Sequence, residues 1–136
     1  MRGILVGLDR KKKICMKKFI SAFCFACSGI SFVFRTERNF RVEIACVPIV
    51  LIAAYFFKIS ETELMIILLH ASLVLSAEIF NTSVERLANL TSREINPAIK
   101  IIKDTAAGAV LITALSAAGC GAIIFIPKII HFFISF

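Results

Sequence analysis

The sequence predicts an all-α integral membrane protein, with three transmembrane helices and an N-terminal amphipathic helix lying in the membrane interface. Three observations predict it. First, the 136-residue chain is 59% hydrophobic with a mean hydropathy of +0.90, above the ~45–50% apolar content of soluble domains. Second, three segments approach or reach the ~17–25 residues a spanning helix needs: Val42 to Ile59, Leu64 to Phe80 and Ala106 to Ile126. Third, the basic residues are concentrated on alternate sides of these segments. Seven of sixteen precede Phe19, Arg35, Arg38 and Arg41 come just before the first span, and Arg86, Arg93, Lys100 and Lys103 lie between the second and third. The turn "KISETE" between spans one and two has a single Lys.

Positive residues concentrate in cytoplasmic loops. The N-terminus and the 86–105 loop therefore face the cytosol, and "KISETE" and the C-terminal tail face outward. The net charge of +7 is absorbed by these topology signals and by attraction to anionic lipid, so no nucleic-acid partner is expected. Residues 1–13 read as a basic cytosolic N-terminus, 14–126 as one membrane domain and 127–136 as a tail. "MRGILVGLDRKKK" lacks the continuous apolar core of a secretory signal, and no repeat or low-complexity tract is visible.

Within that frame, Ile14 to Arg35 is the interfacial helix (14–35). Lys17, Ser21, Ser28, Ser31 and Arg35 fall on a narrow stripe at ~100° per residue, and the remaining surface is Phe- and Ile-rich, which suits a helix lying in the interface. The alternative is a fourth span. "TERNFRVE" is a polar joint that turns the chain into the first span, about 42–59. "SETE" before the second span forms a capping box, with Ser60 as N-cap and Glu63 reaching back. That helix runs without a breaker over about 62–90. The third span, about 105–126, carries two ladders of small residues, Ala114, Ala118 and Ala122 beside Thr113, Ala117 and Gly121. Such ladders let helices approach closely in lipid, and Pro127 is expected to stop the helix. Cys15, Cys24, Cys27, Cys46 and Cys120 read as small apolar packing residues. The single CxxC, Cys24 and Cys27, has no second pair or nearby His to complete a zinc site.

The second span ends in "SAEIFNTSVERLANL", where Glu78, Asn81, Glu85 and Asn89 lie within ~80° of one another. A charged group near hydrocarbon is expensive, on the order of +2.5–3.5 kcal/mol at the centre on insertion scales. Two on one face call for a cation or for polar partners. Glu78 is the deeper, and desolvation makes it a better base than a free carboxylate. Glu85, nearer water, suits a hard cation such as Mg²⁺. Pairing with Arg or Lys from neighbouring helices is an equally good account of the stripe by itself. Glu37, Glu43, Glu94 and Asp104 accumulate on the same side. No GxxxxGK[ST] or GxGxxG loop is present, so a nucleotide there would be held through metal ions and lysines.

"TERNFRVE", "AEIFNTSVE" and "IKDTAAGAVLI", in that order and spacing, resemble the prokaryotic diacylglycerol kinase family, which includes the undecaprenol kinases. The similarity spans Lys18 to Ile126. The resemblance implies a small homotrimeric membrane enzyme that uses ATP and Mg²⁺ to phosphorylate a lipid hydroxyl, converting diacylglycerol to phosphatidic acid or, alternatively, phosphorylating undecaprenol. It places Glu78 as the general base that takes the hydroxyl proton, with Asn81 beside it, and Glu37 and Glu85 as the metal carboxylates. Nucleotide contacts fall to Lys18, Glu37, Glu85, Glu94, Asn96, Lys103 and Asp104. Lipid contacts fall to Lys18, Asn39, Phe40, Arg41, Glu43 and Glu78. Asn89 stands where the family usually has Asp, and Asn96 where a His is common. The rival classes are an ion or proton conductor and a structural membrane protein whose carboxylates only form ion pairs.

Overall fold

The computed structural model describes residues 2–91 and 96–134, with side chains described from Met16 onward. Its elements are four helices: α1 (Arg2–Thr36), α2 (Arg38–Phe56), α3 (Glu61–Thr91) and α4 (Pro97–Ile134). The chain divides into two units, Met1–Thr36 and Glu37–Phe136, described separately here.

The first unit is α1. Its helix begins at Arg2, well before the expected Ile14. Hydroxyls along it satisfy themselves locally: Ser21 Oγ donates to the Lys18 carbonyl (2.9 Å) and Thr36 Oγ1 to that of Phe32 (3.1 Å). The stretch Met16–Thr36 is long and apolar enough to cross a membrane, as are α2, α3 and α4.

In the second unit the expected polar joint shrinks to one residue. Glu37 alone is extended (φ −100°, ψ 122°), and helix resumes at Arg38, four residues before Val42. The turn of α2 at the far end is a Schellman motif. The Ile59 N–H donates to the Ala54 carbonyl and the Lys58 N–H to that of Tyr55, both at 3.2 Å, with Lys58 at φ 48°. This pairing satisfies carbonyls that the helix end would leave bare.

The capping box is present as expected. Ser60 Oγ accepts the Glu63 N–H (3.3 Å), and Glu63 Oε2 accepts the Ser60 N–H (2.7 Å). The start of α4 is capped by Asn96, whose Oδ1 accepts the Ala98 N–H at 2.9 Å. Pro97 occupies the first helical position, where its missing N–H is harmless.

Two expected boundaries are corrected. The 86–105 loop is mostly helix, because α3 runs to Thr91 and α4 starts at Pro97. Helix α4 also passes through Pro127 to Ile134 rather than stopping at the proline. A proline removes one backbone bond, and neighbouring contacts make that tolerable in an apolar helix. Here Lys128 Nζ lies 3.1 Å from Glu63 Oε2, and the Phe132 ring lies 5.6 Å from Phe56 and 6.2 Å from Phe57.

α3 is the central helix, with α4 packed along it and α2 against a shorter stretch. Its buried positions are Ile67, Val74, Glu78, Thr82 and Ala88, a helical stripe. Of the two small-residue ladders, Thr113, Ala117 and Gly121 are half-buried, whereas Ala118 and Ala122 are exposed. Two ion pairs tie α3 to α4, Glu63–Lys128 and Glu85–Lys103, each 3.1 Å. The 22 helical steps from Glu63 to Glu85 span about 33 Å at 1.5 Å per residue, close to the ~30 Å hydrocarbon core of a bilayer.

Candidate functional site

The functional candidates gather at the Glu85–Lys103 end of the second unit, where three helices contribute. The first two turns of α2 and the residue before them supply Glu37, Asn39, Phe40, Arg41 and Glu43. The second half of α3 supplies Glu78, Asn81, Glu85, Arg86 and Asn89, and the start of α4 supplies Lys100, Lys103 and Asp104. Without the early restart of α2 at Arg38, the charges of "TERNFRVE" would belong to a loop. The helix instead fixes them at one end of the bundle.

Glu78 is buried, with 3% of its surface exposed. It makes no hydrogen bond or ion pair among the described residues. The carboxylates of Glu37 and Glu85 are near enough to act on it electrostatically, and Glu78 acts in turn on Glu43. Four acidic groups thus face a common region. In Glu43 one carboxylate oxygen, Oε2, is buried without a partner.

The outer carboxylates differ from this inner pair because each has its own cation. Lys103 Nζ lies 3.1 Å from Glu85 Oε1 and donates to Asn89 Oδ1 at 3.1 Å. Arg86 Nη2 lies 3.8 Å from Glu37 Oε1. Asp104 pairs with Lys100 one turn back on α4. These partners are half-exposed or exposed, so the pairs are weak: exposed ion pairs contribute roughly 0–1 kcal/mol. Among the described residues, no three His, Cys, Asp or Glu side chains converge tightly enough to hold a metal by themselves. Glu37 and Glu85 offer two carboxylates near water. That donor set fits Mg²⁺, which commonly takes one or two carboxylates and completes its shell with water and phosphate oxygens.

The remaining expected residues are placed as follows. Asn81 is half-buried one turn beyond Glu78, and Asn39 and Arg41 are exposed. Phe40 is the most buried large side chain, at 2%. Lys18 is exposed on α1, in the other unit. Asn96 has its side chain engaged as the cap of α4, and Glu94 lies outside the described residues.

Behind the acidic cluster, a cavity of about 430 Å³ opens between α2, α3 and α4. Glu43 lines it, together with Val47, Val50, Ile67, Val74 and Ala117. Its walls are nearly all apolar, matching a hydrocarbon chain rather than a hydrated ion.

Sequence reasoning passed over His70, which also lines the cavity. Its Nδ1 is 2.8 Å from the Ile66 carbonyl. A carbonyl can only accept, so Nδ1 carries a proton, and Nε2 meets Ser116 Oγ and Cys120 Sγ, each at 3.3 Å. An ionisable residue inside a span is itself a signal, and it was available in "LMIILLHASLVLS". Arg86 was read only as a topology signal, and its contact with Glu37 has no local sequence signature.

Against known proteins, residues 24–125 match the family described as prokaryotic diacylglycerol kinase. The chain is 37% identical over 114 residues to an undecaprenol kinase of Bacillus subtilis, covering 84% of this chain and 93% of that protein. It is 33% identical over 110 residues to a diacylglycerol kinase of a Synechocystis species, covering 80% of this chain and 63% of that one.

Proposed function

Because this chain belongs to the prokaryotic diacylglycerol kinase family, a family of lipid kinases, we propose that it transfers the terminal phosphoryl group of ATP to the hydroxyl of a membrane lipid. One observation carries the assignment of roles: the inner carboxylate is buried and unpaired, while the outer two hold exchangeable cations. A base must be free to take a proton, and a metal ligand must be free to trade its counter-ion. Glu78 accepts the hydroxyl proton as that oxygen bonds to the terminal phosphorus and ADP leaves. Glu37 and Glu85 would hold Mg²⁺, which, when bound, offsets charge on the phosphate oxygens. Lys103 and Asp104 position the nucleotide together with Glu94, and Asn81 orients groups beside Glu78. Phosphoryl transfer needs chiefly positioning and charge stabilisation, so a site this sparse is sufficient.

The acceptor's chain lies in the apolar cavity behind Glu43, and Asn39, Phe40 and Arg41 meet it near the membrane surface. α2, α3 and α4 span the bilayer, while α1, which carries Lys18, lies in the interface. The kinase domain is 14–126 with the helical continuation of α4 beyond it. The N-terminus and the 86–105 segment face the cytosol of a bacterial inner membrane, where ATP is available, and three copies assemble as a homotrimer. For the acceptor, the first expectation is diacylglycerol. The match over 93% of an undecaprenol kinase, against 63% of a diacylglycerol kinase, favours undecaprenol as the second reading. Purified protein offered both alcohols in the same micelles with radiolabelled ATP tests this. Label in one phosphorylated lipid identifies the acceptor, and label in neither overturns the proposal.

A further inference from the structure

Arg86 is the cation that the proposed chemistry leaves without a task. It follows Glu85 on α3, and its guanidinium stands 3.8 Å from the carboxylate of Glu37. That separation exceeds a hydrogen bond, so this contact is a charge pairing without fixed geometry. The Arg86 side chain is 52% exposed, against 27% for Glu37, which limits the pair to roughly 0–1 kcal/mol. The same design occurs next door, where Lys103 reaches from α4 to Glu85. Each proposed metal carboxylate therefore carries one monovalent cation, and the two cations come from different helices.

A divalent ion competing for Glu37 meets a weak rival and brings twice the charge. Once released, the guanidinium remains tethered within one side-chain length of that carboxylate, beside whatever the metal holds. A planar fork of donors is well matched to phosphate oxygens, which it binds with two parallel hydrogen bonds. We propose that Arg86 is a further nucleotide-binding residue. It neutralises Glu37 while the site is empty and moves to the triphosphate when a divalent cation takes that carboxylate. The role rests on reading the site as a metal–nucleotide site, and it goes beyond the residues that the family resemblance assigns.

The exchange gives Arg86 opposite effects on two ligands, a pattern a merely structural residue would not produce. Arg86→Gln and Arg86→Lys are compared with the unaltered protein in detergent micelles. Mn²⁺ binding without nucleotide, read by electron paramagnetic resonance, is expected to tighten in Arg86→Gln by up to about fivefold, the weight of an exposed ion pair. The KM for ATP at saturating metal is expected to rise about tenfold, the weight of a charge-assisted hydrogen bond. Arg86→Lys should lie between, because an ammonium keeps the charge and loses the fork. In a Glu37→Gln background, Arg86→Gln should leave Mn²⁺ binding unchanged.

If Arg86→Gln leaves both quantities unchanged, or weakens metal and nucleotide together, the proposal is overturned. The unaltered protein separates this from failure of the wider reading. Lipid phosphorylation with a normal KM in Arg86→Gln removes only the role of Arg86, whereas no phosphorylation of either lipid by the unaltered protein removes the site itself.

Discussion

Replacing Glu78 with Gln separates the proposed chemistry from a purely structural account, because the two predict opposite signs for stability. Glu78 is 3% exposed, has no partner among the described residues and sits within the influence of Glu37 and Glu85. Gln keeps the shape and removes a buried negative charge from a site that does not neutralise it. A buried unsatisfied polar group costs about 1–3 kcal/mol, more when charged. Gln must still bury an amide, so a gain of about 1 kcal/mol is the expected net. Had Glu78 belonged to a buried ion pair, the same change would strand its partner and destabilise the fold by about 3–5 kcal/mol. Loss of a general base lowers the rate by roughly 10²–10⁴-fold, or about 2.7–5.4 kcal/mol in the barrier. The assay is radiolabel transfer from ATP to lipid in micelles, alongside thermal melting and binding of a non-hydrolysable ATP analogue. The expected protein melts at or above the native temperature, binds the analogue and hardly turns over. Native turnover would refute the base assignment, and a melting temperature lowered by several degrees would refute the unpaired carboxylate.

Three other outcomes follow from single contacts. Lys103→Ala removes the partner of both Glu85 and Asn89 and should raise the KM for ATP at least about tenfold. Its stability loss, read by melting, should stay under about 1 kcal/mol because the pair is half exposed. Ser60→Ala breaks the capping box at the distant end of α3 and should cost about 1 kcal/mol in detergent unfolding, with turnover per folded molecule unchanged. His70→Leu deletes the only side-chain hydrogen bonds found between α3 and α4 within the span among the described residues. It should destabilise by about 0.6–2 kcal/mol, measured by unfolding in mixed micelles, and leave Cys120 more reactive towards a membrane-permeant maleimide.

What was legible in the sequence was local. The Ser60–Glu63 box depends on residues three apart, and the structure forms it as read. The four acidic and amide positions of α3 share a stripe because helical period alone puts them there. The family blocks were equally plain, and the match over residues 24–125 agrees with them. Boundaries failed where context overrides the local rule. Pro127 ends helices in water, but here the Glu63–Lys128 pair and the Phe132 ring contacts hold the turns beyond it. The 86–105 segment looked like a loop because it is charged, yet residues 86–91 extend α3 and residues 97–105 belong to α4. The pairings of the site were illegible for a different reason. Glu37 meets Arg86, and Glu85 meets Lys103, across sequence separations that only helix packing brings together. The sequence could state that the acids needed partners, but not that the outer pair had found them and the inner pair had not.

The most direct measurement is phosphoryl transfer itself, in vesicles containing the protein, diacylglycerol, undecaprenol and radiolabelled ATP. Label should enter the extractable lipid only with Mg²⁺ present, and the transfer should nearly vanish in Glu78→Gln. Unlabelled lipid in the presence of Mg²⁺ and intact protein, or equal labelling by Glu78→Gln, would contradict the account.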